Sequence, residues 1–139
     1  MENQKQEAIK LAVSALKKAK TYGGRVGACI YTKTGKLFLG FNVETKIHKG
    51  YHAEEVAIIN SLINESKPEE ATGVIIVCEL DSNGIFPACA SCRQFLWEFT
   101  NPNLLVTVVN AKGEILFEDT LTNLYPMPYP TATPDERKQ

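Results

Sequence analysis

Two short blocks of this chain carry side chains that could do chemistry: His52-Ala53-Glu54, and Cys89-Ala90-Ser91-Cys92 behind Pro87-Ala88. A histidine, two cysteines three apart and a glutamate two residues past the histidine are the parts of a hydrolytic zinc site. Zinc favours nitrogen and sulfur donors in a tetrahedral shell, and catalytic sites keep three protein ligands and one open position. His52, Cys89 and Cys92 are the candidate ligands. A neutral imidazole and two thiolates balance a dication, and the open position can hold a water whose pKa the metal lowers to about 7. Glu54 is spaced to stand beside that water without being a ligand, as a general acid–base that moves its protons.

Each piece has a plainer reading on its own. A histidine near a helix start is usually a surface or capping residue. A lone C-x-x-C is ambiguous between structural zinc, redox chemistry and chance. A glutamate on a helix is usually solvated. The conjunction shifts the balance towards catalytic zinc: H-A-E opens one helix, a strand follows, and C-x-x-C opens the next helix. Cys89 and Cys92 share a helix face by their spacing. Both fall at a predicted helix start, where the positive helix end favours the metal-binding thiolate.

The elements that must position these residues can be read from periodicity. Residues 3–20 carry Ile9, Val13 and Leu16 at helical spacing, and Tyr22-Gly23-Gly24 ends that helix. Val26–Tyr31 and Lys36–Asn42 read as a hairpin around Thr34-Gly35. Tyr51–Glu65 is helical, with Val56, Ile59, Leu62 and Ile63 expected on its buried side. Val74–Leu80 is a near-continuous apolar run, fitting a central strand covered on both faces. Cys89–Phe99 forms a helix packing through Phe95, Leu96 and Phe99. Leu104–Val109 and Glu114–Phe117 are strands around a turn at Lys112-Gly113. Helices alternating with these five strands predict an α/β fold: three layers, α/β/α, with a mixed five-stranded sheet. Residues 1–139 are expected to form one domain, with about 126–139 an extended tail holding four of the seven prolines.

Composition narrows the partners. The 15 basic and 16 acidic residues leave a formal net charge of −1. No basic surplus pulls in a polyanion, so neither nucleic acid nor an anionic membrane is expected. No apolar run approaches the roughly 18 residues a span needs, and no signal-peptide pattern is present. The expected location is cytoplasmic. In a reducing compartment Cys89 and Cys92 suit a metal better than a disulfide. Cys29 and Cys78, inside apolar runs, are expected to be small buried hydrophobes.

Several blocks, in order and spanning most of the chain, resemble the cytidine deaminase family in its small nucleoside-acting branch. H-x-E followed by C-x-x-C is the zinc deaminase pattern. Val26-Gly27-Ala28 is similar to the family's V-G-A strand, Gly40-Phe41-Asn42-Val43-Glu44 to its G-x-N-x-E block, and Cys89 to Phe95 to its C-x-x-C-R-Q block. The resemblance implies that His52, Cys89 and Cys92 hold Zn2+ and that Glu54 is the proton shuttle. It implies that Asn42 and Glu44 bind the ribose hydroxyls, for which an amide and a carboxylate offer matching donors and acceptors. The backbone around Ala53 would help hold the pyrimidine. The implied reaction is hydrolytic deamination of cytidine or 2′-deoxycytidine to the uridine nucleoside plus ammonia, in pyrimidine salvage. The implied assembly is a homotetramer whose sites borrow residues across interfaces.

The chain also departs from the family pattern. Ala88 intervenes between Pro87 and the first cysteine, where proline often precedes directly. Gly23-Gly24-Arg25 stands where a phenylalanine is common. The 45–51 segment is about one residue short and lacks the E-N-A start. Tyr125-Pro126 and Tyr129 stand in for a leucine-proline pair and a later aromatic. Position 55 is consistent with the resemblance: members with three cysteine ligands commonly carry an arginine there to offset thiolate charge, and with His52 as the first ligand and Glu55 following, that positive partner is less needed. The altered Gly24-Arg25 and His48-Lys49 regions motivate a rival substrate, a blasticidin-S-type or other modified-cytosine nucleoside. A nucleic-acid deaminase fits less well, because Asn42-Val43-Glu44 and Arg93-Gln94 suit a free nucleoside. A non-catalytic structural zinc module would need a fourth ligand from His48, Cys78 or Cys29, none at convincing spacing.

Overall fold

The computed structural model describes residues 2–64, 66–79 and 87–129. Helix α1 (Glu2–Ala15) is followed by strands β1 (Val26–Thr32) and β2 (Leu37–Phe41), then two short strands, β3 (Val43–Glu44) and β4 (Gly50–Tyr51). Helix α2 (Ala53–Ile63) leads to β5 (Ala71–Cys78), α3 (Ala90–Phe99), β6 (Leu105–Val109), β7 (Ile115–Thr120) and α4 (Leu121–Leu124). The main sheet runs β2-β1-β5-β6-β7, parallel only between β5 and β6. That one parallel pair needs a crossover, and α3 supplies it.

Alternation along the strands builds the three layers. Ala28, Ile30, Val74, Ile76 and Val106 face one way and pack with Ala57 and Ile58 of α2 and Cys92 and Leu96 of α3. Cys29, Tyr31, Ile75, Val77 and Val109 face the other way, onto Ala8, Ile9 and Ala12 of α1. The expected mixed five-stranded α/β/α fold is what the chain adopts, and the apolar run of β5 lies at its centre, covered on both faces.

Three expectations are corrected. The first helix stops at Ala15, with only a 3-10 turn over Leu16–Lys18 beyond it. The backbone at Lys20 pairs instead with the 42–44 segment: Lys20 N–H donates to the Asn42 carbonyl at 3.0 Å, and Glu44 N–H to the Lys20 carbonyl at 2.7 Å. Tyr51 is not helical, because it pairs with Val43 in the β3–β4 hairpin. Most consequentially, α2 buries Ala53, Glu54, Ala57, Ile58 and Ser61, whereas Ile59, Leu62 and Ile63 are 38%, 43% and 74% exposed. Val56 is only half-buried. The face towards the sheet is chosen by close approach: a Cβ on Gly40 would sit 2.1 Å from the Ala53 carbonyl oxygen and 2.5 Å from Ala57 N. Small residues, not bulky ones, must meet there. Glu65, Leu80 and residues 130–139 of the expected tail lie outside the described residues; Pro126–Tyr129 contains no helix or strand.

One ion pair ties α1 to the edge strand β7. Lys5 Nζ donates to the Glu118 carboxylate, which also accepts from the Thr107 hydroxyl at 2.8 Å. Burial opposes ionisation of Glu118, but the two donors and the lysine charge outweigh it and hold the carboxyl below its ordinary value. A depressed folded-state pKa contributes stability above the unfolded value of about 4.3, and that contribution is lost as pH falls through the folded value.

Two predictions follow from this packing. Gly40→Ala should destabilise the protein at the upper end of the roughly 1–3 kcal/mol cost of overpacking, read by denaturant unfolding. Glu118→Gln should lower the melting temperature at pH 7 and have a smaller effect at pH 3. An equal effect at both values would show that ionised Glu118 is not what stabilises the contact.

Candidate active site

The three ligand candidates meet because two helices begin beside each other on the same face of the sheet. His52 is the N-cap of α2 and Cys89 the N-cap of α3, while Cys92 lies one turn into α3. His52 Nδ1 is 3.0 Å from Cys92 Sγ and 3.3 Å from Cys89 Sγ, and the donor atoms of all three residues lie within 4.8 Å of one another. Among the described residues no other histidine, cysteine, aspartate or glutamate joins the group. One imidazole nitrogen and two sulfurs at this spacing fit a zinc ion in number and chemistry, with the three protein donors of a hydrolytic rather than a closed structural site.

Electrostatics point the same way. Burial pushes the Cys92 thiol above its ordinary value, and the Glu54 and Cys89 charges push it further. A thiol so placed ionises only if a cation compensates. The two converging helix N-termini supply partial positive charge, and a dication would supply the rest. Glu54 is 4% exposed. Burial raises its carboxyl above the usual range, opposed by its own backbone N–H, a hydrogen bond with Cys92 and the His52 charge.

Glu55 has a local role. Its carboxylate accepts from the His52 backbone N–H at 2.9 Å, capping α2 with an acid at its positive end. That bond fixes the backbone carrying His52, which an arginine could not do.

A cavity of about 650 Å³ opens over the cluster. Glu54, His52, Cys89 and Ala53 form its floor, with Val26, Ile76 and Ala88 as apolar wall and Asn42 and Glu44 as polar wall. Six of the seven residues singled out by the sequence line this cavity, and the seventh, Cys92, is fully buried beside His52. The amide of Asn42 is already half used: its Oδ1 accepts from Val26 N–H at 2.9 Å and its Nδ2 donates to the Gly24 carbonyl at 2.9 Å. One N–H and one lone pair remain. The Glu44 carboxylate accepts from the Thr21 hydroxyl.

The lining residues that the sequence did not assign to the site include His48, Tyr51 and Cys78. His48 and Tyr51 enter through the β3–β4 hairpin, in which His48 has a positive φ of 66° and Lys49 Nζ lies 5.4 Å from the Tyr51 ring centre. The short 45–51 segment was the available signal. Cys78, expected to be buried, is half-buried and lines the cavity, because it ends the central strand where the sheet opens onto the site. Cys29 is fully buried as expected. Arg93 and Gln94 are not on the wall. Arg93 Nε donates to the Ala88 carbonyl at 3.0 Å and its Nη1 to the Leu124 carbonyl at 2.9 Å. Gln94 Oε1 accepts from the Tyr125 hydroxyl and from Tyr129 N–H. Ala88 itself has φ 83°, a left-handed conformation costing a non-glycine residue about 1–2 kcal/mol.

Comparison with known proteins agrees with this geometry. The family model for the cytidine and deoxycytidylate deaminase zinc-binding region matches residues 2–108. Cytidine deaminase 3 of Arabidopsis thaliana is 31% identical over 111 residues, 78% of this chain and 47% of that protein. Cytidine deaminase of Sporosarcina psychrophila is 29% identical over 102 residues, 73% of this chain and 71% of that one. This chain thus spans about half the length of the Arabidopsis relative. Among solved structures, cytidine deaminase from Burkholderia pseudomallei superposes with a TM-score of 0.80 at 29% identity, covering 88% of this chain and 97% of the other.

Purified protein should contain one zinc per chain by elemental analysis. His52→Ala and Cys92→Ser should each weaken retention by more than about 10-fold, the lower bound set by losing even an outer-shell partner. Full zinc content in either variant would remove that residue from the ligand set.

Proposed function

Because this chain belongs to the cytidine and deoxycytidylate deaminase family, we propose that it hydrolyses cytidine or 2′-deoxycytidine to the corresponding uridine nucleoside and ammonia. The observation that carries the proposal is the buried Glu54 beside the His52–Cys89–Cys92 cluster at the floor of a nucleoside-sized cavity. Zinc, held by those three residues, would supply the positive charge that activates water near neutral pH.

The remaining work falls to the chain's own groups. A Glu54 carboxylate oxygen takes one proton from the attacking water and passes it to N3 of the cytosine ring. It then takes the second water proton and delivers it to the departing C4 amine, so that one water is consumed and one ammonia leaves. A carboxyl whose proton affinity is raised by burial suits both accepting and returning protons. The free N–H and lone pair of Asn42 and the Glu44 carboxylate are available to the ribose hydroxyls, and the start of α2 at Ala53 to the pyrimidine. Val26, Ile76 and Ala88 exclude water around the ring.

The runner-up keeps this chemistry and changes the substrate to a modified-cytosine nucleoside of the blasticidin S kind. His48 and Tyr51 on the wall favour it, since they add polar and aromatic contacts beyond those a plain nucleoside needs. We further propose that residues 1–139 act as one domain in a homotetramer, with no nucleic-acid partner. The exposed Ile59, Leu62 and Ile63 of α2 support a covered face. No described helix is long and apolar enough to cross a membrane. We propose a cytoplasmic location, with which the four free cysteines are consistent, and from the proposed reaction a role in pyrimidine salvage.

An absorbance assay on zinc-loaded protein should show turnover of cytidine. Glu54→Gln should lower kcat by at least about 10²–10⁴ while zinc content stays unchanged. Turnover of blasticidin S exceeding that of both plain nucleosides would favour the second reading, and undiminished activity in Glu54→Gln would refute the proton-carrier role.

A further inference from the structure

We propose that Arg93 is a positioning residue for the metal ligand Cys89, acting as a bracket between the strained residue before that ligand and the C-terminal segment. This rests on the reading of Cys89 as a ligand, and it assigns a task to a side chain that is not on the cavity wall.

Three observations carry it. Ala88 combines a left-handed backbone with burial and a place on the cavity wall. Such a conformation persists only where its surroundings hold it. Ala88 also immediately precedes Cys89, so rotation of the peptide between them swings the Cys89 sulfur. Arg93, one turn into the same helix, donates from Nε to that peptide's carbonyl oxygen at 3.0 Å. Its other end is tied down as well, because Nη1 donates to the Leu124 carbonyl at the end of α4 at 2.9 Å.

The guanidinium is planar and its donors are fixed relative to one another. A contact at Leu124 therefore sets the angle at which the group meets Ala88. The adjacent Gln94 strengthens the anchor by accepting from the Tyr125 hydroxyl and the Tyr129 N–H. The C-terminal segment thereby constrains the loop that delivers a ligand, although none of residues 121–129 lines the described cavity. Position 88 is where this chain inserts a residue between proline and cysteine, so the bracket sits where the loop most needs one.

The test compares the zinc-loaded parent with Arg93→Gln, Arg93→Lys and Arg93→Gln combined with Ala88→Gly. The readouts are zinc release to an excess of a chromogenic chelator, the absorption spectrum of the cobalt-substituted proteins, and the melting temperature. Both single variants should fold, release zinc about 10-fold faster or more, and show a changed cobalt spectrum. Lysine should not rescue, because a single ammonium lacks the fixed fork that spans two carbonyls. Adding Ala88→Gly should recover part of the retention, since glycine adopts the left-handed backbone without strain. Release rates and spectra equal to the parent's would overturn the bracket. So would a double variant that loses zinc as fast as Arg93→Gln, or the unfolding of both single variants, which would show Arg93 to be a general prop of the fold. A parent that holds no zinc would instead overturn the metal assignment, so the two failures are distinguishable.

Discussion

Helix α2 lies against the sheet at a spacing that leaves no room for a side chain at position 40. The backbone at Ala53 and Ala57 rests almost directly on β2, and this contact sets where the helix begins. His52 is therefore held at the sheet's edge and Glu54 is driven into the protein. A similar close approach occurs on the opposite face, where a Cβ on Gly27 would lie 2.2 Å from the Ala12 carbonyl oxygen of α1. Both helices are thus pressed onto the same pair of antiparallel strands, and the central strand β5 extends the face under α2 across to α3. Once α2 and α3 share a face, their N-termini fall together, and the ligand cluster is a consequence of that packing.

The site that results gathers groups that resist one another. Burial denies hydration to the charged forms of the Glu54 carboxyl and the Cys92 thiol, and the Glu54 and Cys89 charges push the Cys92 thiol up further. Helix N-termini offset part of this. The offset falls short of full charge, so the donor set is suited to a dication. The same environment that makes the metal-free cluster electrostatically unfavourable prepares it for hydrolytic chemistry.

The chain's departures from the family pattern act around that centre and leave it intact. Glu55 accepts from the His52 backbone N–H and caps α2. The short 45–51 segment folds into the β3–β4 hairpin and brings His48 and Tyr51 to the cavity. The early end of α1 frees Lys20 to pair with the Asn42–Glu44 strand, which aligns those two side chains along the polar wall.

Much of this was legible in the linear order of residues. H-A-E and C-x-x-C specify donor atoms by chemistry alone, and helical spacing places them on helix starts; alternation and apolar runs specify five strands and their layers. The buried face of α2 was not legible. Periodicity favours the stripe with the bulkiest apolar residues, Val56, Ile59, Leu62 and Ile63, yet the gap above Gly40 admits only alanine, and Gly40 is distant in sequence. For the same reason no position for Arg93 can be read from the sequence: its partners, the Ala88 and Leu124 carbonyls, are backbone atoms that no side-chain pattern announces. The sequence by itself determined which atoms could bind a metal and move a proton. Only the tertiary structure decided which surfaces approach closely enough to bring those atoms together, because closeness depends on steric fit between segments far apart in the chain.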